Sequence, residues 1–175
     1  ASDAAEAAAG APEAPNGRKV KSQDMLFATL DTAHRRLSLG KGMDAIRSVM
    51  IMGGSRIAYY LASMLLGMRI KVSIIEVNPE KARFLSELLP GATIMQGDGT
   101  DRELLESEGL SDFHAFVALS NRDEENLITG MYGARKGVKK VIVKVNRSNA
   151  LDILEDLGID CAVSPKLTTA NAILR

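Results

Sequence analysis

The stretch that decides the fold is Ser48-Val-Met-Ile-Met-Gly-Gly-Ser-Arg-Ile-Ala58, which is followed by the acidic end of the next apolar run, Ile74-Ile-Glu76. A short apolar strand, a turn of small residues that opens a helix, and a second strand that ends in a carboxylate form the pattern of a dinucleotide-binding βαβ unit. The sequence therefore predicts a nucleotide-binding fold at this point of the chain.

From Arg47 onward, short apolar runs alternate with helical patterns, which is typical of α/β proteins with a parallel sheet. We expect a Rossmann-like, doubly wound sheet of six parallel strands in the order 3-2-1-4-5-6, with helices on both faces. The strands are predicted over residues 47–52, 71–76, 93–96, 115–119, 140–145 and 161–163. Further helices are predicted over 149–157 and from Ser164-Pro165. The pattern also predicts Gly67 as a left-handed helix cap, and Asn78 as the N-cap of a helix whose first residue is Pro79. It further predicts a capping box at Thr100 and Glu103, and a buried helix stripe of Leu127, Ile128, Met131 and Tyr132.

Composition limits the domain organisation and the partners. The chain has 175 residues, of which 46% are hydrophobic, enough for a single core. We expect residues 1–45 to be a flexible linker or arm, or the tail of a preceding domain, and 46–175 to be the nucleotide-binding domain. Lys and Arg together number 22, as do Asp and Glu, so the chain has no net positive charge that would attract nucleic acid. No apolar run is long enough for direct membrane insertion.

The turn after the first strand is the predicted phosphate site. Gly53 and Gly54 can form a tight turn, and the helix that begins near Ser55 directs the free backbone N–H groups of Arg56 and Ile57 at a diphosphate. Serine stands where the second glycine of a GxGxxG motif belongs, so Ser55 either donates its hydroxyl to phosphate or weakens binding. A tight turn that has lost its ligand is the alternative.

Glu76 at the tip of the second strand is the predicted ribose ligand. A carboxylate there can accept hydrogen bonds from both hydroxyls of an adenosine ribose, and its charge would repel a 2′-phosphate. We therefore expect NAD or another adenine nucleotide rather than NADP.

The loops after the third and fourth strands complete the predicted site. Asp98 and Gly99 follow the third strand, where Asp98 either holds the adenine amino group or makes an ordinary turn. Ser120, Asn121 and Asp123 follow the fourth strand, beside the position of a second ribose or nicotinamide, although Asp123 could instead cap a helix. We predict no catalytic residue and no metal site: His114 precedes the fourth strand, at the other end of the sheet, and the single Cys161 excludes a Cys-based zinc site.

Four stretches in this order resemble a known family, the N-terminal subdomain of RCK (KTN) domains that regulate potassium transport. They are 49–58, Gly97-Asp-Gly-Thr-Asp101, Ala118-Leu-Ser-Asn-Arg-Asp-Glu-Glu-Asn126 and Gly158-Ile-Asp-Cys-Ala-Val-Ser-Pro165. The resemblance covers residues 47–175 and departs from the family at Ser55, where glycine is usual. It implies a non-catalytic regulatory domain, the second of two in its subunit, that binds NAD(H), or alternatively ATP and ADP.

The resemblance also implies partners and a location. Such domains assemble as dimers or rings and act on a membrane potassium channel subunit of Trk type, so the expected place is the cytoplasm, peripheral at the inner face of the membrane. Two alternatives remain open: the coenzyme-binding domain of an NAD-dependent dehydrogenase, and an assembly module whose nucleotide pocket is vestigial.

Overall fold

The computed structural model describes residues 46–146, 154 and 156–164, together with the isolated residue Asp31. Apart from Asp31, the predicted arm of residues 1–45 lies outside the described residues. So do most of the helix predicted over 149–157 and the helix predicted after Ser164.

Six parallel strands form one sheet in the order β3-β2-β1-β4-β5-β6, which confirms the predicted topology. The strands are β1 (Ser48–Met52), β2 (Lys71–Glu76), β3 (Thr93–Gln96), β4 (Ala115–Ala118), β5 (Lys140–Lys144) and β6 (Cys161–Val163). The helices are α1 (Arg56–Gly67), α2 (Pro79–Leu88), α3 (Arg102–Ser107) and α4 (Asp123–Arg135), with a short 3-10 helix at Leu110–Asp112. Strand order reverses between β1 and β4, so the crevice of this fold lies beyond the carboxyl ends of those two strands.

The sheet is covered on both faces. One apolar cluster joins the sheet to α1 and α2 through residues such as Leu61, Leu65 and Leu85. A second cluster joins the opposite face to α3 and α4 and includes Leu105 and Phe116. Central strands of such a sheet are buried on both sides, which is why β1 reads as a nearly continuous apolar run.

Local signals set the helix starts. Asn78 caps α2 by accepting a hydrogen bond from the Lys81 N–H at 3.0 Å, and Pro79 occupies the first helical position, as the sequence predicts. Helix α3 is capped differently from the prediction. Asp101, rather than Thr100, accepts from the Glu103 N–H at 2.9 Å, whereas the Thr100 hydroxyl and N–H both donate to Asp98.

Two further predictions about helices are wrong. Gly67 remains helical, and the left-handed residue is Arg69, with a φ of 61°. Ile128 is 61% exposed rather than part of a buried stripe. Helix α4 approaches the sheet through small residues instead: a Cβ on Gly130 would lie 2.6 Å from a methyl group of Val143, so only glycine permits this close packing.

Candidate functional site

The turn after β1 is built on Gly53. Its φ of 96° lies in the left-handed region that favours glycine, and its N–H donates to the Ile75 carbonyl at 2.9 Å. A Cβ at this position would lie 3.0 Å from the backbone nitrogen of Ser120. The glycine therefore brings the turn against the end of β4, which places the two sides of the crevice in contact.

Glu76 closes the same turn from the β2 side. Its side chain is 7% exposed, and one carboxylate oxygen accepts from the Gly54 N–H at 2.5 Å while the other accepts from the Asn78 N–H at 2.8 Å. A Cβ on Gly54 would lie 2.7 Å from the Glu76 carboxylate and 2.6 Å from Leu85. Each carboxylate oxygen has two lone-pair sites, so these two hydrogen bonds occupy one site on each oxygen.

The N-terminus of α1 lies directly after this turn. Ser55 is the N-cap, and its hydroxyl accepts from the Ala58 N–H at 3.3 Å. The hydroxyl is therefore turned toward the helix, while the first N–H groups of the helix, those of Arg56 and Ile57, have no carbonyl partner within it. Such an end attracts an anion through its N–H groups and the helix dipole. Ala58 is fully buried, which fits the close packing that the third small residue of the motif provides.

The loop after β3 borders the crevice on the β2 side. Asp98 is exposed and accepts from the Thr100 N–H at 2.8 Å and from its hydroxyl at 2.7 Å, which is ordinary turn chemistry. These hydrogen bonds lower the pKa of Asp98, and the positive charge of Arg122 in the loop after β4 lowers it further. Gly99 is buried, and a Cβ there would collide with Met52.

The loop after β4 forms the other side. Ser120 accepts from the Arg122 N–H at 3.2 Å, and the exposed Asn121 follows it. Asp123 does not cap α4: Arg122 is the N-cap residue, and no side chain caps the helix there. The Asp123 carboxylate instead accepts from both the backbone and the side-chain N–H groups of Asn146, each at 2.9 Å, and so ties α4 to the end of β5.

Two polar residues at this edge were not predicted from the sequence. Asn126 is fully buried and binds the backbone N–H and carbonyl of Ser120 at 2.9 and 3.0 Å and the Lys144 carbonyl at 2.9 Å. Lys144 is only 5% exposed, and its ammonium donates to the Asn121 side chain at 3.2 Å. Burial lowers the pKa of Lys144, and the negative charge of Asp123 partly offsets that effect. Because Lys144 lies in a largely apolar strand, its sequence pattern did not indicate a polar role.

All predicted site residues lie at or just beyond the carboxyl ends of the strands, so the structure brings them to one edge. His114 lies at the opposite edge, where its ring nitrogen pairs with the Ser48 hydroxyl at 2.8 Å. Among the described residues, no three His, Cys, Asp or Glu side chains are grouped to hold a metal ion. Within the same part of the chain, none of the helices has the length and apolar character of a membrane span.

The family model for the TrkA-N domain matches residues 49–165. A Trk system potassium uptake protein, TrkA of Vibrio alginolyticus, is 34% identical over 169 residues, which is 94% of this chain and 37% of the relative. TrkA of Haemophilus influenzae is 31% identical over the same shares. The chain thus spans about a third of the length of these curated relatives.

Solved structures share the fold. The TrkA-N domain of the inner membrane protein ybaL from Escherichia coli has a TM-score of 0.66 at 16% identity, covering 75% of this chain and 97% of that one. The GsuK RCK domain gives 0.63 at 19% identity, over 78% of this chain and 29% of that one. The GsuK channel bound to NAD has a TM-score of 0.59 at 21% identity, covering 74% of this chain and 24% of that one. An L-alanine dehydrogenase has a TM-score of 0.56 at 15% identity, covering 75% of this chain and 40% of that one.

Proposed function

The chain belongs to the TrkA-N family, and from that premise we propose that it is the nucleotide-sensing domain of a regulatory subunit of potassium uptake. In this proposal residues 46–175 bind NAD or NADH, with ATP or ADP as the alternative ligand. Residues 1–45 link the domain to a preceding one, and the domain is the second of two in its subunit. The relatives' name, Trk system potassium uptake protein, supports the transport role.

The observation that carries the nucleotide assignment is the position of Glu76. Its carboxylate lies at the tip of β2 and contacts the Gly54 turn, directly beside the N-terminus of α1. A ribose acceptor next to an anion-binding helix end is the arrangement that recognises a ribose-diphosphate. GsuK, which shares the fold, has been solved bound to NAD.

The described residues suggest how each part of the ligand would be held. The Arg56 and Ile57 N–H groups would donate to the diphosphate, and Glu76 would accept from the adenosine ribose. Asp98 and Gly99 would border the adenine, whereas Ser120, Asn121 and Asp123 would border the second half of a dinucleotide. In this scheme the domain carries out no reaction. His114, the one histidine among the described residues, lies at the other edge and does not supply a proton-transfer group to this one.

Regulation requires more than binding. Nucleotide changes the channel only if it binds one arrangement of the subunits more tightly than another. We infer that the domain forms a dimer or ring at the cytoplasmic face of the membrane, against a Trk-type channel subunit. Exposed apolar side chains on α1, directly after it and on α4 offer contact surface for such an assembly; they are Tyr60, Met64, Met68 and Ile128.

A second candidate function is an assembly module with a vestigial pocket. It is favoured by one observation: both oxygens of Glu76 already bind backbone N–H groups, so the carboxylate also has a structural role. The dehydrogenase alternative has the weaker support of shared fold with an L-alanine dehydrogenase at 15% identity.

Calorimetric titration of the chain with NADH, NAD, ATP and ADP tests the proposal. We expect saturable binding of at least one of them at one site per chain, and no binding of NADPH at the same concentration. Absence of binding by all four would favour the vestigial module. Turnover of NADH with a 2-oxo acid and ammonia would favour the dehydrogenase.

A further inference from the structure

Four neighbouring strands of the sheet begin with a basic residue. Arg47 comes directly before β1, and Lys71 is the first residue of β2. His114 comes directly before β4, and Lys140 is the first residue of β5. Because the strands are parallel and lie in the order β2-β1-β4-β5, these residues form a row at the amino edge of the sheet, opposite the crevice. The row spans three strand spacings, or about 14 Å.

Contacts between the strand starts hold this row in register. Lys71 pairs with Ser48 across β1 and β2, and the Ser48 hydroxyl contacts the His114 ring at 2.8 Å. The Lys140 N–H donates to the His114 carbonyl at 3.1 Å. The Lys71 ammonium lies 5.6 Å from the centre of the Phe113 ring, beside the start of β4. The positive charge of β2 therefore extends along the edge toward the middle of the row.

Positive charge is concentrated at the β1–β2 part of the amino edge. Arg47, Arg69 and Lys71 are exposed there, and Arg69 belongs to the turn between α1 and β2. Among the described residues, the salt bridges join other cations to carboxylates. Two acids of this edge, Asp112 and Asp160, come before β4 and β6, and so lie toward its other part. The charges of the three cations are therefore available to an anionic partner.

An apolar side chain lies next to these cations. Met68 is 50% exposed and comes directly before Arg69, whose N–H donates to the Leu66 carbonyl at 2.9 Å and fixes the turn. A nucleic acid or a polyacidic segment would bind the cations alone. The surface of an anionic bilayer offers phosphates to the cations and an apolar layer to the methionine. The combination therefore favours a lipid surface as the partner.

We propose that the amino edge binds the phosphodiester headgroups of anionic membrane lipids, through Arg47, Arg69, Lys71 and Lys140 with Met68 beside them. This goes beyond the proposed function, in which a channel subunit brings the domain to the membrane, and it does not depend on nucleotide binding. The crevice lies at the opposite edge of the sheet, so a domain bound in this way keeps the crevice directed away from the bilayer.

Flotation of the chain with lipid vesicles tests the proposal. We expect binding to vesicles that contain phosphatidylglycerol, no binding to vesicles of phosphatidylcholine alone, and release at about 0.5 M salt, where surface charges are screened. Arg69→Asn combined with Lys71→Thr should lower the partition coefficient about tenfold or more, since each cation near such a surface contributes about fivefold. Asparagine tolerates the left-handed backbone at position 69, where φ is 61°, and threonine suits a strand.

A matched variant removes two cations at the other edge. Lys81 in the first turn of α2 and Arg102 at the start of α3 are both exposed. Lys81→Gln combined with Arg102→Gln should leave vesicle binding unchanged. Thermal melts verify that each variant is folded. The amino-edge variant should bind NADH as the wild-type chain does, and a wild-type chain that binds vesicles but no nucleotide would refute the nucleotide function alone.

Several results would overturn the lipid surface. These are equal binding to both kinds of vesicle, no binding to phosphatidylglycerol, or an equal loss in the two double variants. Saturable binding of inorganic phosphate that the amino-edge variant loses, without vesicle binding, would identify an ion site instead. Binding of polyglutamate without binding to phosphatidylglycerol vesicles would identify an acidic protein as the partner.

Discussion

At the scale of single residues, the proposed site depends on side chains that bind backbone groups and would still be able to bind a ligand. The Glu76 carboxylate fastens the Gly54 N–H and the Asn78 N–H, and these two hydrogen bonds occupy one of the two lone-pair sites on each oxygen. Ser55, which as a departure from glycine raised the possibility of an intruding side chain, directs its hydroxyl to the Ala58 N–H instead. A serine at this place is thus compatible with a ligand at the helix end.

Lys144 gives a prediction about pH. Burial lowers its pKa in the folded chain, whereas in the unfolded chain the group titrates near its usual value of about 10.4. Between those two values the unfolded chain binds more protons, so the free energy of unfolding should rise with pH there and stay constant below both. Urea unfolding over an alkaline pH series should show this rise in the wild-type chain relative to Lys144→Met. A difference between the two chains that does not change with pH would contradict it.

At the scale of elements, the connection from β1 to α1 combines a fixed turn with a helix. Gly53 has a φ of 96° and lies against the backbone of Ser120, whereas Gly67, the last residue of α1, has open space around its Cβ position. The two glycines of one βα unit therefore differ in whether their positions have room for a side chain.

We predict opposite effects for the two alanine substitutions. Gly53→Ala should lower the free energy of unfolding by about 1–3 kcal/mol, because alanine is strained at positive φ and would press on backbone. Gly67→Ala should raise it by up to about 1 kcal/mol, because alanine favours the helical conformation. Chemical denaturation of both variants measures the two changes. Equal effects, or a neutral Gly53→Ala, would show that the turn is not constrained as described.

The sequence predicts elements better than it predicts side-chain roles. The cap at Asn78 follows from a pattern local to one helix, and the strand order follows from the alternation of strands and helices with right-handed connections; both are confirmed. The exposed position of Ile128 could not be predicted from helical spacing, because α4 packs on β5 through Gly130 and contacts between elements decide which face turns inward. Asn126 and Lys144 were missed for the same reason, since their partners lie 6 to 23 residues away in the chain.

At the scale of the whole molecule, the sheet places residues from four strand ends at one edge. The loop after β3 and the loop after β4 face each other there: hydrogen bonds from Thr100 lower the pKa of Asp98, and the charge of Arg122 adds to this effect from across the crevice. A ligand that spans this edge would contact both halves of the sheet at once. Under the proposed function, such a ligand would act on a neighbouring subunit only by binding one arrangement of the subunits more tightly than another.

In the proposed function, this edge binds an adenine dinucleotide through Glu76. Calorimetric titration of NADH into the wild-type chain, Glu76→Ala and Glu80→Ala tests this binding; Glu80 is a nearby exposed acid in the first turn of α2. Thermal melts should accompany the titrations to verify that each variant is folded. We predict that Glu76→Ala weakens NADH binding by about a hundredfold or more, since hydrogen bonds from both ribose hydroxyls to a charged group are lost. Glu80→Ala should match the wild-type chain, and equal NADH affinity in all three chains would contradict the claim.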